Sequence, residues 1–230
     1  MIPLPFRKTP PARSVPGYPK LSGISAGGRD RGFTLVELLI AMAVGMIVLG
    51  ATYSLFTIQS KQLGNQDVIA EMQQNARIAM DMVSREVRMA GYNPTGATPK
   101  PGIITAGANS ITFTTDITNT AGTGNPDGLT DGPNEYITYD LYTSGVVQAL
   151  GRKSTSSASR QPVVEYVDLL SFTYLDANGT ATATLANIRE IQITIRTIAS
   201  KMDPAYPVNG GYRTYTLRAR VAPRNLVPAF

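Results

Sequence analysis

The chain has 230 residues and a formal charge of +5, and it contains no cysteine and no histidine. The missing cysteines exclude thiol chemistry, and the missing histidines remove the commonest general base and metal ligand, which leaves little room for hydrolase triads or zinc sites. All the excess charge lies in residues 1–32, because the rest of the chain holds 15 basic and 15 acidic side chains. A basic block before an apolar run indicates membrane topology, and no later block indicates a nucleic-acid surface.

Residues 1–31 form the first segment and contain six of the sixteen prolines with no periodic pattern. This composition predicts disorder. Because a long apolar run follows, we interpret residues 1–32 as a leader peptide.

A single long helix is predicted from Phe33 to Ala90. Its first half, residues 33–60, is apolar all round, and the 23 residues from Leu38 to Ser60 carry no charge. As a helix this run spans ~34 Å, about one bilayer core. The second half is amphipathic, and Gly91 and Pro94 signal its end. Its apolar stripe, which predicts packing on one side of a domain, comprises Val68, Met72, Ala76, Ala79, Val83 and Val87.

Beyond Gly91 the pattern alternates with a period of two, which predicts β-strands. The last two strand patterns resemble an antiparallel hairpin, and residues 119–134 and 152–161 are predicted to be long polar loops. The expected fold class is therefore α+β, with a long N-terminal helix packed on an antiparallel β-sheet. The predicted strand segments are 110–118, 135–150 (two strands around Gly145), 169–175, 189–200 and 212–223.

The stretch RGFTLVELLIAMA carries one acid, Glu37, near the start of the apolar run. A charge inside a membrane segment costs roughly 2.5–3.5 kcal/mol on insertion scales, so it needs a reason. The order of residues resembles the prepilin signal of type IV pilins and type II secretion pseudopilins. That resemblance implies cleavage by a prepilin peptidase between Gly32 and Phe33, and methylation of the new Phe33 amine. It also implies that Glu37 pairs with the N-terminal amine of a neighbouring subunit during assembly.

Several later segments resemble PilW-type minor pilins in their order and spacing. They include SREVRMAGYNPTG (residues 84–96), VDLLSFTYLDANG, IREIQITIRT and RARVAPRNL. This resemblance implies a minor pilin that contributes to pilus assembly or initiation, with other minor pilins and the major pilin as partners. It also implies a single pass through the inner membrane, a periplasmic domain over residues 61–230, and incorporation into an extracellular pilus.

Other interpretations stay open. A signal anchor with a stray acid is one alternative for the apolar run, and a type II secretion pseudopilin is the alternative within the same machinery. A membrane-anchored periplasmic enzyme or binding protein would need a catalytic constellation, which we do not find, so we predict no enzyme, cofactor or metal. Asp127, Asp131 and Glu135 invite a calcium interpretation, but their spacing is not that of a calcium-binding hand, and Asp-Gly is ordinary turn chemistry.

Overall fold

The computed structural model describes residues 32–226. The predicted leader lies outside the described residues, apart from Gly32. The described residues divide into two units, with the boundary between Thr52 and Tyr53.

One helix, α1, runs from Leu35 to Met89 over 55 residues and confirms the single long helix expected from the sequence. Within the described residues it is also the one helix long and apolar enough to cross a membrane. No residue from Phe33 to Thr52 is buried. The helix ends at Met89, and Gly91, two residues later, adopts a left-handed φ of 80° and donates its N–H to the Thr114 carbonyl at 2.9 Å.

The apolar stripe predicted on the second half of α1 is the buried side of the helix. Five of its six residues are buried and Val68 is half-buried. A hydrogen bond also joins α1 to the sheets, because the Thr197 hydroxyl donates to the Met72 carbonyl at 3.0 Å. The buried stripe residues are Met72, Ala76, Ala79, Val83 and Val87.

The long helix and the antiparallel strands confirm the expected α+β class, although the strands form two sheets and not the one sheet that we expected. The first has five strands in sequence order, β1 to β5, and the second has three, β6 to β8. The strands are β1 (Ile103–Ala106), β2 (Ser110–Thr114), β3 (Tyr136–Ser144), β4 (Val147–Lys153), β5 (Gln161–Glu165), β6 (Val167–Leu175), β7 (Glu190–Ile198) and β8 (Thr214–Val221).

The three-stranded sheet follows the predicted alternation closely. Ile193 lies opposite Phe172 on β6 and Ala219 on β8, so these three residues share one face of the sheet. Ile191, Ile193 and Ile195 are fully buried. The predicted C-terminal hairpin is therefore confirmed as β7 and β8.

Candidate functional site

The N-terminus of α1 is closed by a reciprocal set of hydrogen bonds between Thr34 and Glu37. One oxygen of the Glu37 carboxylate, Oε2, accepts from the Thr34 backbone N–H at 2.9 Å and from its hydroxyl at 3.0 Å. The Glu37 N–H donates to the Thr34 hydroxyl at 3.2 Å. This arrangement is a capping box, which satisfies backbone donors that the first helical turn leaves without partners.

The predicted cleavage position lies immediately before this cap. Gly32 and Phe33 precede the helix, and Phe33 is 90% exposed. A methyl group built on Gly32 would meet nothing within 4 Å. Gly32, Phe33 and Glu37 lie within six consecutive residues of the sequence, and in the structure these residues are exposed at the start of α1.

The capping box gives Glu37 a partner in its own chain, whereas we expected its only evident partner to be in a neighbouring subunit. Thr34 is the residue that our sequence reasoning missed. Its signal was present, since Thr-Leu-Val-Glu fits the Ser/Thr-x-x-Glu pattern of a capping box. The other oxygen of Glu37, Oε1, accepts no hydrogen bond from the residues that the structure describes.

Asp127, Asp131 and Glu135 accept hydrogen bonds from the loop 119–134 and from the two residues that precede it. Asp127 accepts from the N–H groups of Leu129 and Thr120, both at 3.0 Å, and these bonds lower the pKa of its carboxyl group. Glu135 is fully buried and accepts from three backbone N–H groups, those of Ile117, Thr118 and Gly132. Asp131 accepts from the Thr120 hydroxyl at 3.0 Å. The hydrogen bonds that hold this loop together therefore explain the positions of the three acids.

Residues 28–53, which include the capping box, match the family model of the prokaryotic N-terminal methylation motif. The chain carries a type IV pilin-type methylation motif. It is also 39% identical over 61 residues to the pilin-like protein PilA3 of Thermus thermophilus. The match spans about a quarter of each chain, 26% of this one and 26% of the relative.

A solved type IV-like pilin from Thermus thermophilus is similar in structure, with a TM-score of 0.41 and 12% sequence identity. The similarity covers 67% of this chain and 98% of that one. The methylation motif and the apolar helix together fit membrane anchoring with a C-terminal domain outside the bilayer.

Proposed function

We propose that the chain is a minor pilin of the PilW type that contributes to the assembly or initiation of a type IV pilus. The observation that carries this proposal is the methylation motif over residues 28–53, placed at the exposed start of a long apolar helix. A prepilin peptidase cuts between Gly32 and Phe33, and the new Phe33 amine is methylated. The mature chain then begins two residues before α1.

Glu37 pairs with the N-terminal amine of a neighbouring pilin in this proposal. A carboxylate within hydrocarbon is tolerated when a cation and further hydrogen bonds satisfy it. Thr34 holds Oε2 through two hydrogen bonds and so fixes the direction of the carboxylate. Oε1 is then the oxygen that receives the amine. The helix cap and the ion pair between subunits therefore use different oxygens of the Glu37 carboxylate.

The domain beyond the apolar run faces the periplasm and presents the surface that other minor pilins or the major pilin recognise. Until assembly, the apolar half of α1 keeps the protein in the inner membrane, because it matches the thickness of a bilayer core. Residues 61–230 contribute recognition and no catalysis.

The test is whether the protein enters filaments. Surface filaments sheared from cells should contain the mature protein in small amounts relative to the major pilin, with an inner-membrane marker absent from the same fraction. Deletion of the gene should reduce filament number. If deletion abolishes protein secretion and leaves piliation unchanged, the protein is a secretion pseudopilin instead. If neither changes and no filament contains it, the assembly role is wrong.

A further inference from the structure

A cavity of about 460 Å³ opens between the second half of α1 and the β7–β8 loop, residues 199–213. Lys61 and Asn65 line it from the helix, and Lys201, Asp203 and Arg213 line it from the loop. The cavity lies wholly within the unit Tyr53–Phe230. Neither the capping box nor the apolar stripe of α1 accounts for these side chains.

The loop wall of the cavity is held in one shape by Asp203. This carboxylate accepts two hydrogen bonds from the Arg213 guanidinium, at 3.0 and 2.9 Å, and one from the Ala205 N–H at 3.0 Å. These bonds, led by those from Arg213, lower the pKa of Asp203. Asn65 also donates to Asp203 at 3.3 Å, which ties the loop to the helix.

Two lysines are the available cations of this cavity. In the described part of the chain, neither Lys61 nor Lys201 forms a salt bridge, whereas the charge of Arg213 is matched by Asp203. The next acids on the helix, Asp67 and Glu71, lie ~9 and ~15 Å beyond Lys61 along its axis. Lys61 therefore carries a positive charge without a salt bridge at the end of the cavity nearest the uncharged run, whereas Lys201 follows Ser200, whose hydroxyl donates to Glu71 at 3.2 Å.

The loop also exposes apolar and aromatic side chains. Met202 is 56% exposed, and Val208 and Tyr212 are exposed as well. The Arg213 guanidinium lies 4.8 Å from the centroid of the Tyr206 ring. Basic, aromatic and apolar residues in one segment are typical of protein surfaces that sit at a membrane interface.

The position of the cavity along α1 agrees with this composition. Lys61 is the first charged residue after the uncharged run Leu38–Ser60, and the helix is continuous from Leu35 to Met89. We propose that the β7–β8 loop docks on the membrane surface, where Lys61 and Lys201 bind the phosphate of anionic phospholipid headgroups and Met202 enters the interface. The proposal rests on membrane anchoring by the apolar run and is independent of pilus assembly.

The absence of cysteine in the chain allows a clean test. Met202→Cys carries an environment-sensitive fluorophore in the full chain, reconstituted into nanodiscs of phosphatidylcholine alone or with phosphatidylglycerol. The matched control is Val146→Cys, because Val146 is 98% exposed on the β3–β4 turn and does not line the cavity. Quenching by lipids with a nitroxide near the headgroup reports contact with the interface.

We expect the Met202 probe to shift to the blue and to be quenched in discs with phosphatidylglycerol, and the Val146 probe to be unaffected. High salt should reverse the effect. Lys61→Gln and Lys201→Gln should each raise, by about fivefold, the phosphatidylglycerol content that is needed to quench the Met202 probe. Neither substitution should change the unfolding midpoint. Equal quenching of the Met202 probe in both kinds of disc, no quenching in either, or unchanged quenching when Lys61→Gln and Lys201→Gln are combined in one chain would overturn the headgroup site. A response to inorganic phosphate in detergent, without lipid, would assign the cavity to a free anion and also contradict the proposal.

Discussion

The Glu37 carboxylate and the Thr34 backbone N–H are joined by a hydrogen bond of 2.9 Å at the first turn of α1. The Thr34 hydroxyl donates to the same carboxylate oxygen. The acid in the apolar run therefore stabilises its own helix, whatever else it binds. Two explanations of Glu37, a helix cap and an inter-subunit partner, now make different predictions for substitutions.

Three substitutions separate the two explanations of Glu37. Glu37→Gln keeps a side chain that completes a capping box but removes the charge, Glu37→Leu removes both, and Thr34→Ala weakens the cap while it keeps the carboxylate. We expect both Glu37 variants to enter sheared filaments at less than a tenth of the normal amount, because a buried amine left without its partner costs ~3 kcal/mol or more. Thr34→Ala should cost only ~1 kcal/mol of helix stability and assemble nearly normally.

Cleavage and membrane insertion are the controls for this series. All three variants should be cut and inserted like the wild type, since the cleavage site lies before the cap and Leu is favoured in the bilayer over an acid. If Thr34→Ala and Glu37→Leu fail while Glu37→Gln assembles, the cap alone explains Glu37. Normal incorporation of Glu37→Leu would mean that the carboxylate has no assembly role.

The buried stripe of α1 predicts a large difference between two similar substitutions. Met72 is buried, whereas Ile78, on the same helix, is exposed. Met72→Asp should lower the free energy of unfolding by ~4 kcal/mol because it places a charge in the core, and Ile78→Asp should change it by less than ~1 kcal/mol. Denaturant unfolding of the full chain in detergent, followed by circular dichroism, measures both. Equal effects of the two substitutions would contradict the packing described above.

The hydrogen bonds that join α1 to the five-stranded sheet should make a measurable contribution to stability. The Tyr139 phenol, fully buried on β3, donates to Glu86 at 2.6 Å, and Arg152 on β4 donates to the same carboxylate at 2.9 Å. Tyr139→Phe should cost ~1 kcal/mol. Glu86→Leu should cost more, ~2–3 kcal/mol, because it leaves two largely buried donors without an acceptor. A double-mutant cycle with no coupling between positions 86 and 139 would show that the bond does not stabilise the fold.

Alkaline pH should weaken the fold through Tyr139. Burial, and then the neighbouring Glu86 carboxylate, raises the pKa of this phenol above its ordinary value of 10.0. The neutral phenol is therefore favoured in the folded state, so its contribution is complete below about pH 10 and is lost as the pH rises above that value. Between pH 9 and 12 the unfolding midpoint should fall less steeply in Tyr139→Phe than in the wild type. The substitution removes a pH dependence of ~1.4 kcal/mol per pH unit from the free energy of unfolding. A wild-type slope in Tyr139→Phe would contradict this cause.

The features predicted correctly are those that a local period encodes. Val83 and Val87 on the helix and Ile191, Ile193 and Ile195 on β7 repeat at the spacing of the element that buries them, so sequence alone revealed them. The strand β1 escaped detection because it has only four residues, and β5 escaped because it contains Pro162, which argues against a strand. The split into two sheets depends on how strands pair at long range, which no local pattern specifies.

The hydrogen bonds and the cavity also show that sequence reasoning is limited to local patterns. The capping box joins Thr34 and Glu37, which are three positions apart, and was readable from the sequence. The bond between Glu86 and Tyr139 joins residues 53 positions apart, and the cavity beside Lys61 depends on a loop more than 130 residues later. Such contacts become visible only once the helix and the sheets are placed in three dimensions.

The most direct test of the account is the N-terminal residue of the mature protein. Mass spectrometry of protein purified from membranes and from sheared filaments should find a chain that begins at Phe33 with a methylated amine. Gly32→Val should leave the uncut precursor in the membrane, because it blocks the predicted cleavage position. A mature protein that begins at or near Met1, or a Phe33 amine that is never methylated in assembled filaments, would contradict the central claim.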